Sequence, residues 1–269
     1  MKRWRLHWSH LSCYARCGEQ FRRRYVEGEI RAPGIALIAG SATHEGIEAV
    51  LKYKQEAGEL PELDRGQAAA RDYVAREWAD GHYRLTGREV DELGGPDAAR
   101  DHTIDTSVGL VECHYVSLAD EIQPTAVERP WVVKLKDYPF DLAGQIDVEE
   151  SGRIRDTKTA ARRPSAGQEH TMPQLTMYAL AKRVLDGHPP AEIFVDWLVK
   201  NKTPVAVSRA THRTVEDFRA LLARVEATWR GIEAGVFPPI SREEWMCDPR
   251  WCGYFYDCKY VRGWKQFAL

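Results

Sequence analysis

At 269 residues, with 43% hydrophobic and 29% charged side chains, the chain can bury a sizeable core without covalent staples, which excludes a disulfide-dense mini-scaffold. No apolar run approaches the ~20 residues of a membrane span, and the basic N-terminus scatters its apolar residues instead of forming a secretory segment, so a cytoplasmic protein with no membrane partner is expected. The net charge of −2 hides an uneven distribution: residues 1–31 carry eight basic against three acidic side chains, and residues 250–269 carry four against one. Both ends are rich in Trp and Tyr, which suits nucleic acid, where phosphates take the charge and bases stack on rings; a solvated surface is the plainer alternative.

In chain order, residues 9–27 are predicted as one helix opened by Ser9 or Ser12. A second helix runs from Ser41 to Ala57 with Gly58 past its end, and a third opens with Asp64 and Gln67 in capping-box spacing. Residues 97–121 are predicted helical. From about Pro124 the pattern changes: "TAVERPWVVKL", "YPFDLAGQIDVEE" and "RIRDTKT" read as successive strands. "MPQLTMYALAKRVL" is a helix with Pro173 in its first turn; "AEIFVDWLVK" is a central strand, apolar on both faces, and "PVAVSRAT" is another strand. The last long helix spans Val215 to Ala234, capped by Thr214 and ended by Gly235. This order predicts an α/β core in one continuous domain: a basic N-terminal helix (1–31), a helical insertion (41–122), a sheet core (124–211), and a helix with a Cys-rich tail (213–269).

The most informative stretch is "DLAGQIDVEESGRIRDTKTA". With Ser151-Gly152 as the hairpin turn, Glu150 faces Arg153 and Asp147 faces Asp156; Lys158, two residues on, projects from the face of Asp156. Opposed carboxylates repel, and a bound cation reverses that sign. Carboxylate oxygens are preferred ligands of Mg²⁺ and Mn²⁺, and a nearby lysine can orient water or neutralise phosphoryl charge. A solvated hairpin with an incidental Asp and Lys is the alternative for this stretch alone. Upstream lie Gly40 and His44 in "GSATHEGIE" and Glu128 in "VERPW"; downstream, Gln174 and Tyr178 are four apart and share a helix face.

The ordered set resembles a RecB-like nuclease of the PD-(D/E)xK superfamily. The matching elements are Tyr14, Cys17, Phe21 and Tyr25 in "YARCGEQFRRRY", then "GSATH", "VERPW", "AGQID", "DTK" and "QLTMY". The resemblance implies a restriction-endonuclease-like mixed central sheet flanked by helices. It implies that His44, Asp147, Asp156 and the carbonyl of Thr157 ligate Mg²⁺ or Mn²⁺. Lys158 would position and activate the hydrolytic water, Glu128 would assist, and Gln174 and Tyr178 would line the site. The implied activity is exonuclease hydrolysis of DNA, as single strands or duplex ends, in recombination or repair. Gly18 stands where that family commonly has a proline after its N-terminal Cys.

Three of six cysteines, Cys247, Cys252 and Cys258, fall near the end of the chain. Disulfides are rare in the cytoplasm, so clustered thiols there point to metal or catalysis. The resemblance extends to an iron–sulfur subset, implying a 4Fe–4S cluster on Cys17, Cys247, Cys252 and Cys258. Zinc is the alternative occupant, and Cys13 an alternative fourth ligand. Either metal would draw the two basic ends into one DNA-binding edge, on which Arg22, Arg23 and Arg24 are the candidate contacts. No Gly-x-x-x-x-Gly-Lys-Ser/Thr loop is present, so no helicase motor is expected. A free-standing exonuclease of phage type, open to oligomer formation, is the first reading. A CRISPR-adaptation-type nuclease, a silent DNA-binding subunit beside a helicase or recombination partner, and a cluster-bearing redox sensor are the others.

Overall fold

The computed structural model describes residues 3–136 and 138–261. Lys2, Arg262 and Lys265 of the basic termini lie outside the described residues. Among the described residues, six strands form one mixed sheet. Its longest, β3 (Phe140–Glu150), pairs along one edge with antiparallel β2 (Ala126–Lys134). The other edge of β3 is shared. A short strand absent from the sequence reading, β1 (Trp4–Leu6), runs parallel to Phe140–Leu142. At the far end β4 (Arg153–Ala160) pairs antiparallel with Val148–Glu150 alone. β4 then runs parallel to β5 (Glu192–Val199), and β5 antiparallel to the edge strand β6 (Val205–Thr211).

The hairpin turns at Ser151-Gly152 with Glu150 opposite Arg153, as its residues predict. The expected ladder pair Asp147–Asp156 does not form, because pairing stops at Val148–Arg155. The Asp147 carboxylate accepts the backbone N–H of Thr157 at 2.9 Å, while β4 turns away to pair with β5 as far as Ala160. β3 and β4 therefore part as a fork just where the carboxylates stand.

α1 (Trp8–Arg16), α7 (Pro173–Leu185) and α8 (Val215–Glu233) cover one face of the sheet, where Leu11, Leu175 and Leu221 join the main core. α3 (Ile35–Ala57) and α6 (Pro96–His114) cover the other through Ile47, Leu51 and Leu110. α4 (Leu63–Ala79) packs on them as the helical insertion, through Ala70 and Val74. A short helix not expected from the sequence, α5 (Gly87–Leu93), is opened by a Thr86/Glu89 capping box. α3 starts six residues before the expected Ser41. The N-cap of α4 is Glu62, so Asp64 lies inside its first turn.

The predicted single helix over 9–27 is broken. α1 is opened by His7, whose side chain forms a capping box with His10, so neither Ser9 nor Ser12 caps it. Cys17 is extended (φ −156°, ψ 104°) and caps the four-residue α2 (Gly18–Phe21), which continues as a π-helical turn over Arg22–Val26. Gly18 explains the break: its N–H donates to the Pro238 carbonyl at 2.7 Å, and a Cβ there would lie 2.6 Å from the Phe237 carbonyl carbon. Gly18→Ala should therefore destabilise the fold by about 1–3 kcal/mol through backbone overpacking. Chemical denaturation checks this, and an unchanged midpoint would contradict it.

Candidate active site

The fork gathers side chains that a regular sheet would keep apart. Strand residues alternate faces. Here Ile146 and Trp131 pack in the α7/α8 core, whereas Val148 and Val127, two and four residues away, pack against α3. Alternation is therefore interrupted between them in both strands. Glu128 sits at this break with φ +52°, the one non-glycine residue with positive φ among the described residues. Such a backbone is strained and persists where its surroundings over-determine it. Gln145 supports it by donating its Nε2 to the Glu128 carbonyl at 3.1 Å.

His44, Glu128 and Asp147 come together there, one ligand atom from each lying within 4.8 Å of the others. His44 Nδ1 is 3.7 Å from Asp147 Oδ2. Burial, then the nearby Lys158 ammonium, holds the His44 imidazole below its usual range, so it is neutral and free to ligate. Asp156 lies outside this tight group, and Lys158 Nζ is 2.8 Å from its carboxylate. Burial disfavours the Lys158 ammonium, but Asp156 and Asp147 outweigh it and keep the lysine charged. It can donate to water or phosphate and cannot act as a base at neutral pH.

The carboxylates repel. Burial first, then Asp147 and Glu48, pushes Glu128 up to about 8. Burial raises Asp156 to about 6 and also raises Asp147. Oδ2 of Asp156 is buried without a well-directed hydrogen bond, even with Lys158 beside it. Repelling, under-satisfied oxygens beside a neutral imidazole are the donor set that a hard divalent cation satisfies, so these residues fit the metal implied by the motifs. Glu48 lines the same cleft and was missed in the sequence, although it sits four residues from His44 and so shares its helix face.

Gln174 and Tyr178 meet as predicted, Nε2 donating to the phenol oxygen at 2.6 Å. Burial, then the Asp156 and Asp147 charges, raises the Tyr178 phenol, so it stays protonated. The Trp131 ring stands edge-on to Tyr178 with centroids 6.5 Å apart. Gly144, paired with Trp131, leaves room for that ring, since a Cβ would lie 2.6 Å from its Cζ2. The glycine of "AGQID" and the tryptophan of "VERPW" are thus one packing unit behind the site.

The Glu128 shift has a testable sign. A carboxyl held up to about 8 keeps its proton in the native state while the unfolded chain has lost it. Metal-free stability should fall as pH rises from 6.5 to 8, by at most about 1.4 kcal/mol per pH unit. Below 6.5 the trend is opposed by His10 and His114, lowered by burial to about 4 and about 3. Thermal unfolding in EDTA checks this. Wild type should lose Tm across the window, Glu128→Gln should not, and Mn²⁺ should flatten the wild-type slope. Parallel wild-type and Glu128→Gln profiles would refute the assignment.

Cys17, Cys247, Cys252 and Cys258 line one pocket between the N-terminal helices and the tail. Cys13 is buried in the core and does not line it. Burial, then the neighbouring thiols, raises Cys247; burial is also the main cause of the rise at Cys252. Among the described residues, no three of these sulfurs fall within the 4.8 Å spacing met by His44, Glu128 and Asp147. The three candidate arginines are not equivalent. Arg22 makes a two-pronged pair with Glu19 at 2.8 Å. Arg23 pairs with Glu29 at 2.6 Å and with Asp257 of the tail at 3.0 Å, beneath the Tyr254 ring. Arg24 is exposed and lies over Tyr25. Arg31 also pairs with Asp257, and Arg84 donates to the Pro249 and Arg250 carbonyls.

A mixed sheet of this connectivity, forked at a D…D-x-K hairpin under a helix-borne histidine, is a restriction-endonuclease-like nuclease core. The chain belongs to the PD-(D/E)XK nuclease superfamily, whose family model matches residues 5–259. A crystal structure of a "Putative exonuclease" from Eubacterium rectale is similar in fold, with a TM-score of 0.57 and 14% identity, covering 96% of this chain and 87% of that one. A crystal structure of SSO0001 aligns with a TM-score of 0.39 and 10% identity over 93% of this chain and 95% of that one. No curated protein matches the chain. Among the described residues, no helix is long and apolar enough to cross a membrane.

Proposed function

We propose that the protein is a divalent-metal-dependent deoxyribonuclease that degrades DNA from ends or as single strands in recombination or repair. The convergence of His44, Glu128, Asp147, Asp156 and Lys158 at the fork carries this reading. Mg²⁺ or Mn²⁺ would be held by His44, Asp147, Asp156 and the Thr157 carbonyl, with Glu128 assisting. When bound, it supplies Lewis-acid polarisation of the phosphodiester and a more acidic water. The Lys158 ammonium orients the water and offsets charge that develops on the phosphoryl oxygens. Tyr178 and Gln174 present a protonated phenol and an amide as donors to the strand. The similarity to the Eubacterium rectale protein agrees with exonuclease action.

In the tail, Cys17, Cys247, Cys252 and Cys258 would hold a 4Fe–4S cluster. Zinc on the same four thiols, which line one pocket, is the alternative occupant.

End-labelled single-stranded and duplex DNA, incubated with anaerobically purified protein and Mn²⁺ or EDTA, tests the nuclease. Mn²⁺-dependent release of terminal mononucleotides or short fragments is expected. Cleavage only at internal positions would refute exonuclease action, and no cleavage with any divalent ion would refute the nuclease.

A further inference from the structure

β4 and β5 are parallel neighbours, so their C-terminal ends open at the same edge of the sheet. The Lys200 N–H donates to the Ala160 carbonyl at 2.8 Å and ties the two exits together. The chain leaving β4 reads "AARRPSAG" and that leaving β5 reads "KNKTP", with no acidic residue from Thr157 to Gln168 or from Trp197 to His212. Arg162, Arg163 and Lys202 are exposed, and Lys200 is half-buried. Among the described residues, none of these four cations has a carboxylate within 4.0 Å. Burial alone pushes the Lys200 ammonium below its usual range.

The first loop is anchored. Pro164 is buried, Arg209 of β6 donates to the Pro164 and Ser165 carbonyls at 3.3 and 2.5 Å, and Arg213 donates to the Glu169 carbonyl at 2.9 Å. Glu169, the first acid after this loop, is itself buried and paired with Arg209 at 3.3 Å. Lys158 lies only four residues before Arg162, about 13 Å of extended chain. α3 runs antiparallel alongside, with Gly40 against Thr159 and His44 against Thr157. In open α/β sheets, ligands lie beyond the carboxyl ends of the strands.

We propose that the loops after β4 and β5 form a phosphate-binding ledge, on which Arg162, Arg163, Lys200 and Lys202 hold the backbone of the DNA strand being cut, beside Lys158. The ledge rests on the nuclease reading for its ligand. It places the strand at the catalytic edge, away from Arg22 and Arg23, whose charges are already taken by Glu19, Glu29 and Asp257. The four residues are positioning residues and take no part in bond cleavage.

The test compares wild type with Arg162→Gln/Arg163→Gln, with Lys200→Gln/Lys202→Gln, and with Arg219→Gln/Arg224→Gln on the exposed side of α8 as a charge-matched control. Binding of a fluorescent single-stranded oligonucleotide is read by anisotropy in Ca²⁺ over a series of salt concentrations. Each ledge variant should bind about tenfold more weakly or worse. Each should flatten the slope of log affinity against log salt by about 1.4, the value for two lost phosphate contacts on a single strand. In Mn²⁺ the ledge variants should raise KM for the oligonucleotide while hydrolysing bis(p-nitrophenyl) phosphate, too small to reach the ledge, at the wild-type rate. A wild-type salt slope in both ledge variants, or an equal loss in the control, overturns the ledge. Wild-type protein that binds the oligonucleotide through the ledge yet hydrolyses neither substrate overturns the nuclease and leaves the ledge standing.

Discussion

Lys158→Ala should abolish the proposed DNA hydrolysis, with a loss of at least about 10³-fold in kcat, and Asp147→Asn should do the same while leaving the fold intact. Losing one preorganised charge at a developing phosphoryl oxyanion costs about 10²–10³-fold, and losing a carboxylate from the metal set removes the cation's contribution as well. The two variants differ in stability, and the difference is diagnostic. Asp147 is one of several carboxylates in the site that repel, and Asn keeps an oxygen for the Thr157 N–H. Metal-free Asp147→Asn should therefore melt at or above wild type, and Mn²⁺ should no longer raise its Tm. Lys158 is the cation that offsets Asp156 at 2.8 Å. Metal-free Lys158→Ala should melt lower, by the ~1–3 kcal/mol of a buried group left unsatisfied. Activity within tenfold of wild type in either variant would remove these residues from the mechanism. A lower Tm for metal-free Asp147→Asn would show that the carboxylates do not repel as described.

Cys258→Ser should lose the proposed tail cluster and, with it, about 2–5 kcal/mol of stability. By analogy with disulfides, tying Cys17 to the tail closes a loop of more than 200 residues, worth about 5 kcal/mol in loop entropy. The lower bound reflects anchors that need no metal. Asp257 pairs with Arg23 and Arg31, the Tyr254 hydroxyl donates to the Glu29 carbonyl, and Arg84 holds the Pro249 carbonyl. The tail should therefore loosen without leaving the body of the protein. Iron and sulfide content, the visible spectrum, thermal unfolding and limited proteolysis beyond residue 240 measure this together. Wild-type protein with zinc and no iron would replace the cluster by zinc, and a Cys258→Ser protein with full metal content would remove this cysteine from the site.

The hairpin, the helix-borne histidine, the glutamine–tyrosine pair and the sheet strands from Ala126 onward were all legible in the sequence. Their signals are local: a turn at Ser151-Gly152, a helical spacing of four, and runs of β-branched residues. β1 escaped because three residues carry no periodicity and pair only through contact with Phe140–Leu142. The break at Cys17 escaped because its cause, the Pro238 carbonyl against Gly18, lies more than two hundred residues away. The acidic partners of Arg22 and Arg23 escaped because a charge count does not show which acids fold back onto them; Asp257 arrives from the other end of the chain.

The sequence by itself determined which groups stand as candidates for the proposed chemistry, because Asp147, Asp156, Lys158 and His44 are set by residue type and by spacing within single elements. Tertiary structure alone decided how they meet. Simple alternation and hairpin register would set Asp147 across a ladder from Asp156. The structure instead opens the sheet there, reverses the facing of β2 and β3 around Glu128, and brings α3 down on the gap. Strain at one residue, close packing of Trp131 over Gly144 and the continued pairing of β4 with β5 after β3 has left its other edge are non-local balances, and no short stretch of sequence encodes them.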